Sequence, residues 1–218
     1  MFHVEHLEPC SALLKVHSDE MGIHLCPEQL DKFKLYFDHL QTWNESINLT
    51  SITDDRDIII KHFVDSLAGL VPDEIAIGSK VIDVGTGAGF PGIPMKIARP
   101  DLRMVLVEPV QKKVSFLYSL IGHLRLTDVQ VYYGTFQQFV RAFRGDELFS
   151  RVTTRALKSA VVLSDAREVL AEGGRAILYL GHSLVEPVGG WSIVKHHAYS
   201  LPDGIGERVI SVVEKAKA

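Results

Sequence analysis

Residues 80–108 read KVIDVGTGAGFPGIPMKIARPDLRMVLVE, and this stretch decides the fold. A short apolar run at 80–84 leads into a loop carrying Gly85, Gly87 and Gly89. A short helical segment at 93–98 follows, and a second apolar run at 103–108 ends on Glu108. Strand, glycine turn, helix and strand within about 30 residues make a βαβ unit, whose two strands lie parallel. Glycines in the turn let the chain reverse sharply and bring its backbone close to a ligand.

Downstream the alternation continues. A helix is expected at 112–124, a third strand at 129–133 and a short helix at 136–143. A fourth strand follows at 149–154, a helix at 158–170 and a fifth strand at 174–180. The end differs: 192–200 and 208–213 are β-rich and joined by LPDGIGE, with no helix between them. The expected class is α/β, a Rossmann-like sheet of the seven-stranded methyltransferase plan. Five parallel strands come first, then a C-terminal antiparallel hairpin.

Upstream, the first seventy residues read as helices. PEQLDKFKLYFDHLQTWN spaces Leu30, Phe33, Phe37 and Leu40 at helical intervals, with Pro27 in the first turn. DRDIIIKHFVDSLAGL puts Ile59, Phe63, Ser66, Leu67 and Leu70 on one side of a helix. Between them NESINLTSIT is polar and without period, and Pro72-Asp73 marks a boundary. The expected division is a helical extension, 1–72, and a sheet domain, 73–218.

Hydrophobic residues make up 46% of the 218, enough for a sizeable core and too many for a disordered chain. Cys10 and Cys26 make no disulfide framework and no CxxC site, which points to a reduced, cytoplasmic protein. No secretory signal and no run near the ~20 apolar residues of a membrane span is visible. The net charge of −4 is uneven: residues 1–83 carry −9 and residues 84–218 carry +5. The C-terminal two thirds therefore have charge to meet a polyanion, against the plainer reading of ordinary surface charge.

The glycine loop departs from the dinucleotide fingerprint GxGxxG: its third glycine comes one position early, and Phe90 stands where the last would fall. GxGxG with a carboxylate ending the second strand suits S-adenosylmethionine better than NAD. Glu108 is placed to accept from both ribose hydroxyls. Backbone N–H groups around Gly85, Gly87 and Gly89 suit the cofactor's carboxylate, and Asp83 its ammonium. HExxH, GxSxG and GxxxxGK[ST] are absent, as is an Asn/Asp-Pro-Pro-aromatic tetrapeptide for methylating exocyclic amines. Neither cysteine lies in the sheet domain, which removes covalent attack on a pyrimidine. The ten histidines do not cluster, and His196-His197 point to opposite faces of a strand, so no metal is expected. An acceptor with a free lone pair fits this inventory. Guanine N7 is one, and it needs alignment rather than a general base.

Taken together, WNESINLTSIT, KHFVDSL, VIDVGTGAGFPGIPMKIARP, EPVQKKVSFL and TRAL resemble the RsmG (GidB) family of 16S ribosomal RNA guanine-N7 methyltransferases. The similarity runs from about Leu30 to Gly181. The resemblance implies a bacterial cytoplasmic enzyme acting on 16S rRNA or the small ribosomal subunit, without metal or membrane, and a monomer is expected. It assigns Gly85, Phe90 and Glu108 to the cofactor, Phe136 and Gln137 to the segment closing on the adenine, and Arg155 to the position after the fourth strand. Trp43, Asn44, Asn48, Leu49, Thr50, His62, Asp65 and Ser66 match the motifs of the helical part. Arg155, His62 and Asp65 are the candidates at the reacting centre, and Lys112, Lys113 and Arg155 the candidate RNA contacts. Two departures stand out. Thr135 replaces an arginine that the family usually carries, with Gln137 in place of an acidic residue, and Leu180 stands where a lysine is common, in Leu180-Gly181-His182. Each lost cation is a natural phosphate contact. Plainer readings stay beside these: Lys112 and Lys113 as a solvated helix face, His62 as a structural histidine, Trp43 as core. Two other functions also remain open, a non-catalytic RNA-binding or ribosome-assembly factor and an NAD-dependent oxidoreductase.

Overall fold

The first strand, β1 (Lys80–Val84), is buried along its whole length after Lys80. Such a continuous apolar run suits a central parallel strand covered on both faces. A computed structural model describes residues 7–155, 157–181 and 189–216, with side chains from residue 11 onward. His182 and the thiol of Cys10 lie outside the described residues.

After β1 the chain runs through α5 (Gly92–Ala98), β2 (Arg103–Glu108), α6 (Gln111–His123), β3 (Val129–Tyr133), α7 (Phe136–Ala142), β4 (Phe149–Arg155), α8 (Ser159–Ala166) and β5 (Leu170–Leu180). The hairpin β6 (Trp191–Leu201) and β7 (Gly206–Lys215) completes one seven-stranded sheet, ordered β3-β2-β1-β4-β5-β7-β6. Strands β1 to β5 are mutually parallel, and β7 runs antiparallel to both β5 and β6. The last strand thus inserts between β5 and β6, and β6 becomes the edge.

Side chains alternate between two cores, as the two-residue strand period requires. Ile82, Val84, Ala176 and Leu178 pack under α7 and α8. Val81, Ile177 and Tyr179 face the other side, where α5, α6 and the N-terminal helices lie. Those helices are α1 (Leu7–Glu20), α2 (Pro27–Ile47), α3 (Asp55–Ile58) and α4 (Asp65–Leu67). Gln29 of α2 donates from Nε2 to the carbonyls of Ile97 and Ala98 at 2.8 and 2.9 Å, tying α2 to the end of α5. Phe33, Tyr36 and Phe63 share one core with Phe90, Ile93 and Met95, so the helical part and the sheet bury a common surface.

Two elements differ from the sequence expectation. The helix expected across 55–70 is broken into α3, a π-helical stretch Ile59–Val64, α4 and a 3-10 turn Ala68–Leu70. Residues Ile58 to Ile60 and His62 to Gly69 are all buried, so no single apolar face exists here for periodicity to find. The helix expected to reach residue 170 stops at Ala166. Val169 and Leu170 match helical spacing from Val162 and Ala166. They are drawn out instead by β4, whose Phe149 N–H donates to Val169 O at 2.8 Å, and β5 starts early.

Candidate active site

The C-terminal ends of β1, β2 and β4 and the N-termini of α7 and α8 surround a cleft of ≈ 810 Å³. In open parallel sheets this edge is where ligands sit. The glycine loop forms one side. Gly85 and Thr86 N–H groups donate to Val107 O at 2.9 and 3.2 Å, which holds the loop against β2. Gly85 (φ 70°) and Gly87 (φ 61°) adopt left-handed backbone, and both line the cleft. Gly89 does not. A Cβ there would come within 2.8 Å of Ile93 Cγ1 and the Tyr36 hydroxyl, so this glycine admits α2 onto the back of the loop. Tyr36 donates to Ala88 O and its ring stacks on Phe90 at 5.3 Å.

Glu108 lines the cleft and is already in use. Its Oε2 accepts from Gly87 N–H at 2.9 Å and its Oε1 from Val110 N–H at 3.0 Å. Each carboxylate oxygen keeps a lone pair for a ribose hydroxyl. Glu108→Ala is expected to weaken S-adenosylmethionine binding by about 1–3 kcal/mol in a calorimetric titration. A ribose-lacking fragment should keep its affinity. An equal loss for that fragment would make Glu108 a support for the loop alone.

Phe136 and Gln137 line the cleft with Leu157, Val161 and Val162 of the β4–α8 segment, giving an apolar slot suited to a purine ring. Thr135 has a local reason to be there. Its hydroxyl accepts from Gln138 N–H at 3.2 Å, while Gln138 Oε1 accepts from Thr135 N–H at 2.8 Å, a capping box that starts α7.

Asp83 is not on the cleft wall. It is fully buried behind the loop, where Oδ2 accepts from Gly92 N–H at 2.9 Å. A direct contact to a cofactor ammonium is therefore not what this carboxyl makes. It pins the start of α5 instead. Oδ1 has no hydrogen-bond partner among the described residues. Burial pushes the Asp83 carboxyl up to about 6; the nearby Thr86 hydroxyl, the Gly92 N–H and Arg155 offset this only in part. The Thr86 hydroxyl itself closes no hydrogen bond of standard geometry. With the folded value raised above 3.8, stability is full below that pH and is lost as the pH rises through 6. Asp83→Asn keeps the acceptor for Gly92 and removes the charge. Its stability relative to wild type, followed by thermal melting, is expected to be highest above pH 7 and to decline toward pH 4, over a span of up to about 3 kcal/mol. A pH-independent difference would sink this assignment.

Arg155, His62 and Asp65 do come together. Arg155 Nη1 donates to Asp65 Oδ2 at 2.9 Å and to Lys61 O at 3.1 Å. Its guanidinium lies 5.2 Å from the centre of the Phe90 ring. Arg155 Nη2 lies 3.4 Å from His62 Nδ1, so Nε2 is left to carry the proton and donate to Thr50 Oγ1 at 2.9 Å. The direct His62–Asp65 hydrogen bond that their spacing suggests is replaced by this bridge through Arg155. Asp65 Oδ1 accepts from Tyr199 of β6 at 2.7 Å. Burial, with Arg155 beside it, lowers His62 to about 3, so its imidazole is neutral. His62 stacks on Phe90 at 4.5 Å, and neither His62, Asp65 nor Phe90 lines the cleft. Arg155 lines it while serving as a brace.

Lys112 is exposed and Lys113 reaches the cleft wall; neither forms an ion pair with a described residue. Lys158 and Asp165, which no motif in the sequence singles out, also line the cleft. A cation just past the fourth strand, at the ligand edge, was the available signal for Lys158. Trp43 is half-buried and packs edge-on against Phe116 at 5.7 Å, as a core residue does. Leu180 packs half-buried against the α7–α8 core. Among the described residues no group of three His, Cys, Asp or Glu is placed to hold a metal.

The chain is similar to proteins of known description. The family model of GidB, rRNA small subunit methyltransferase G, matches residues 29–188. Ribosomal RNA small subunit methyltransferase G of Desulfitobacterium hafniense is 40% identical over 84% of this chain and 75% of its own. The protein of that name in Geobacillus thermodenitrificans is 35% identical over 91% and 88%. Among solved structures, a mutant of MtNAS in complex with S-adenosylmethionine superposes with a TM-score of 0.60 at 15% identity, covering 95% of this chain and 78% of that one. Aeropyrum pernix fibrillarin with natively bound S-adenosyl-L-methionine gives 0.51 at 13%, covering 69% and 73%. These two share the fold, and on the sequence match the chain belongs to the GidB family, rRNA small subunit methyltransferase G.

Proposed function

We propose that this protein transfers the methyl group of S-adenosyl-L-methionine to N7 of a guanine in 16S rRNA. The observation that carries the reading is the cleft itself. It joins left-handed Gly85 and Gly87, the Glu108 carboxylate and an apolar slot under Phe136 at one sheet edge, in a chain of this family. When bound there, S-adenosylmethionine supplies an electrophilic methyl carbon on a cationic sulfur. Gly85 and Gly87 would let the cofactor approach the backbone, Glu108 would hold the ribose, and Phe136, Gln137 and Val161 would hold the adenine. The acceptor would be the guanine N7, whose lone pair is already free, so the task left to these residues is to align it with the methyl carbon. No proton need be removed first. A neutral His62 kept behind Phe90 is consistent with a site that works by alignment and water exclusion.

Within this reading the protein is a cytoplasmic monomer, and the extension 1–72 and the sheet domain 73–218 act as one body through their common core. Lys113 and Lys158 at the cleft, with the exposed Lys112 next to Lys113, are the candidate phosphate contacts. The Lys112→Ala/Lys113→Ala double variant is expected to flatten the salt dependence of RNA binding, by about 0.7–0.9 in log–log slope per lost contact. An unchanged slope would remove these lysines from the interface. The decisive experiment for the activity is to map N7-methylguanine in 16S rRNA after incubation with the purified protein and cofactor. One new modified guanine is the expected result. Cofactor binding without any rRNA methylation would favour the non-catalytic factor.

A further inference from the structure

A second groove, of ≈ 750 Å³, lies between the C-terminal half of α2 and the loop of residues 48–53. Its walls carry the side chains of Asn44, Glu45, Asn48, Ser51 and Thr53, over an apolar floor that includes Ile52. The loop is held in one shape. Asn44 Oδ1 accepts from Thr50 N–H at 2.8 Å, and Thr50 Oγ1 accepts from Ile52 N–H at 3.1 Å and from His62 Nε2 at 2.9 Å. Asn48, which turns the chain out of α2, sits in the left-handed region (φ 48°) with its side chain exposed. Through Thr50, His62 and Arg155 this wall is joined to the cleft by direct side-chain contacts.

The charge around the groove decides what fits it. Its lining holds the exposed Glu45 carboxylate and no Lys or Arg. The first two cations after the loop are engaged elsewhere: Lys61 pairs with Asp57 at 2.7 Å and Arg56 with Asp203. A phosphate would be repelled here. A neutral group with N–H donors and a flat apolar face would not, because carboxylate, amide and hydroxyl groups match its edge and the aliphatic floor its plane. An unstacked nucleobase with an exocyclic amine is such a group, and single-stranded RNA is read this way.

We propose that this groove binds a nucleobase of the substrate RNA next to the methylated guanine, with Glu45 and Asn48 accepting from its amino edge. The inference rests on the rRNA methyltransferase reading above. The groove would then choose which guanine enters the cleft, while the lysines at the cleft hold backbone.

The test uses the Glu45→Gln/Asn48→Gly double variant, since glycine keeps the left-handed turn while removing the amide. With small ribosomal subunits as substrate, KM is expected to rise about 10-fold or more, the loss of one or two hydrogen bonds to a charged group. Cofactor affinity, melting temperature and the salt slope of RNA binding should match wild type. The slope is the discriminating readout, because it counts phosphates and not bases. A photo-crosslinker at position 48 should label an rRNA base. A wild-type KM, a flattened slope, or a crosslink to a ribosomal protein would each overturn the proposal. Should the wild-type protein itself methylate no rRNA, the functional reading falls, and that outcome is separate from a wild type that works and a variant that works equally well.

Discussion

Gly85→Val is expected to abolish cofactor binding in a protein that still folds. Gly85 has φ 70°, where a β-branched residue is strained, by roughly 1–2 kcal/mol. A Cβ built there comes within 2.5 Å of Leu157 Cδ1. Leu157 is 46% exposed and ends in a flexible side chain, so it can swing away without disturbing the core. What cannot be relieved is the new branched side chain in the cleft, at the point where the ligand must meet backbone. Titration with S-adenosylmethionine should show at least about a 100-fold loss, equivalent to about 2.7 kcal/mol. The thermal transition should stay cooperative, a few degrees lower. Undiminished affinity in the folded variant would remove the glycine loop from the cofactor site. Gly87, where a Cβ meets nothing within 4 Å, offers the contrast: Gly87→Ala carries the backbone strain without a clash in the apo protein. Its cofactor affinity therefore reports how closely the ligand approaches that position.

The loop was legible because every local signal in 80–108 agrees. An apolar run too short for a helix, glycines at alternate positions and a carboxylate ending the next strand leave few alternatives. The parallel order of β1 to β5 followed from the repeated units. Less legible were features set by tertiary contact. Asp83 reads as a ligand because it adjoins the loop, yet its carboxyl turns inward to Gly92, a choice made by the packing of α5 over β1. Ile59, Phe63, Ser66, Leu67 and Leu70 read as one side of a helix, but the segment is enclosed on all sides and takes a π-helical course from Ile59 to Val64. Lys158 and Asp165 reach the cleft only because α8 begins at its rim, and its eight-residue length could not be told from the apolar spacing that continues to Leu170. The pairing of β7, and not β6, with β5 is likewise outside what alternating residues can specify.

Arg155→Ala is expected to cost about 3–5 kcal/mol of stability, the range for leaving one member of a buried ion pair without its partner. The side chains of Arg155 and Asp65 are only 18% and 8% exposed, so solvent does little to replace the lost charge. For a chain of this size the melting temperature should fall by about 10 °C. The position reads from sequence as a contact to substrate, and the geometry gives it a prior task. It joins the end of β4 to the π-helical stretch and α4, covers Phe90, and leaves His62 neutral with its proton on Nε2. The Arg155→Ala/Asp65→Asn double variant separates the two roles. If the arginine is a brace, removing the buried charge as well should recover much of the lost stability, because the Asn side chain can still accept from Tyr199. Turnover per folded molecule then reports what Arg155 does at the cleft it lines. Full stability in Arg155→Ala with reduced turnover would make it a substrate contact alone. Lost stability that the second substitution does not restore would place the brace in its bond to Lys61 O and its packing on Phe90, and not in the ion pair.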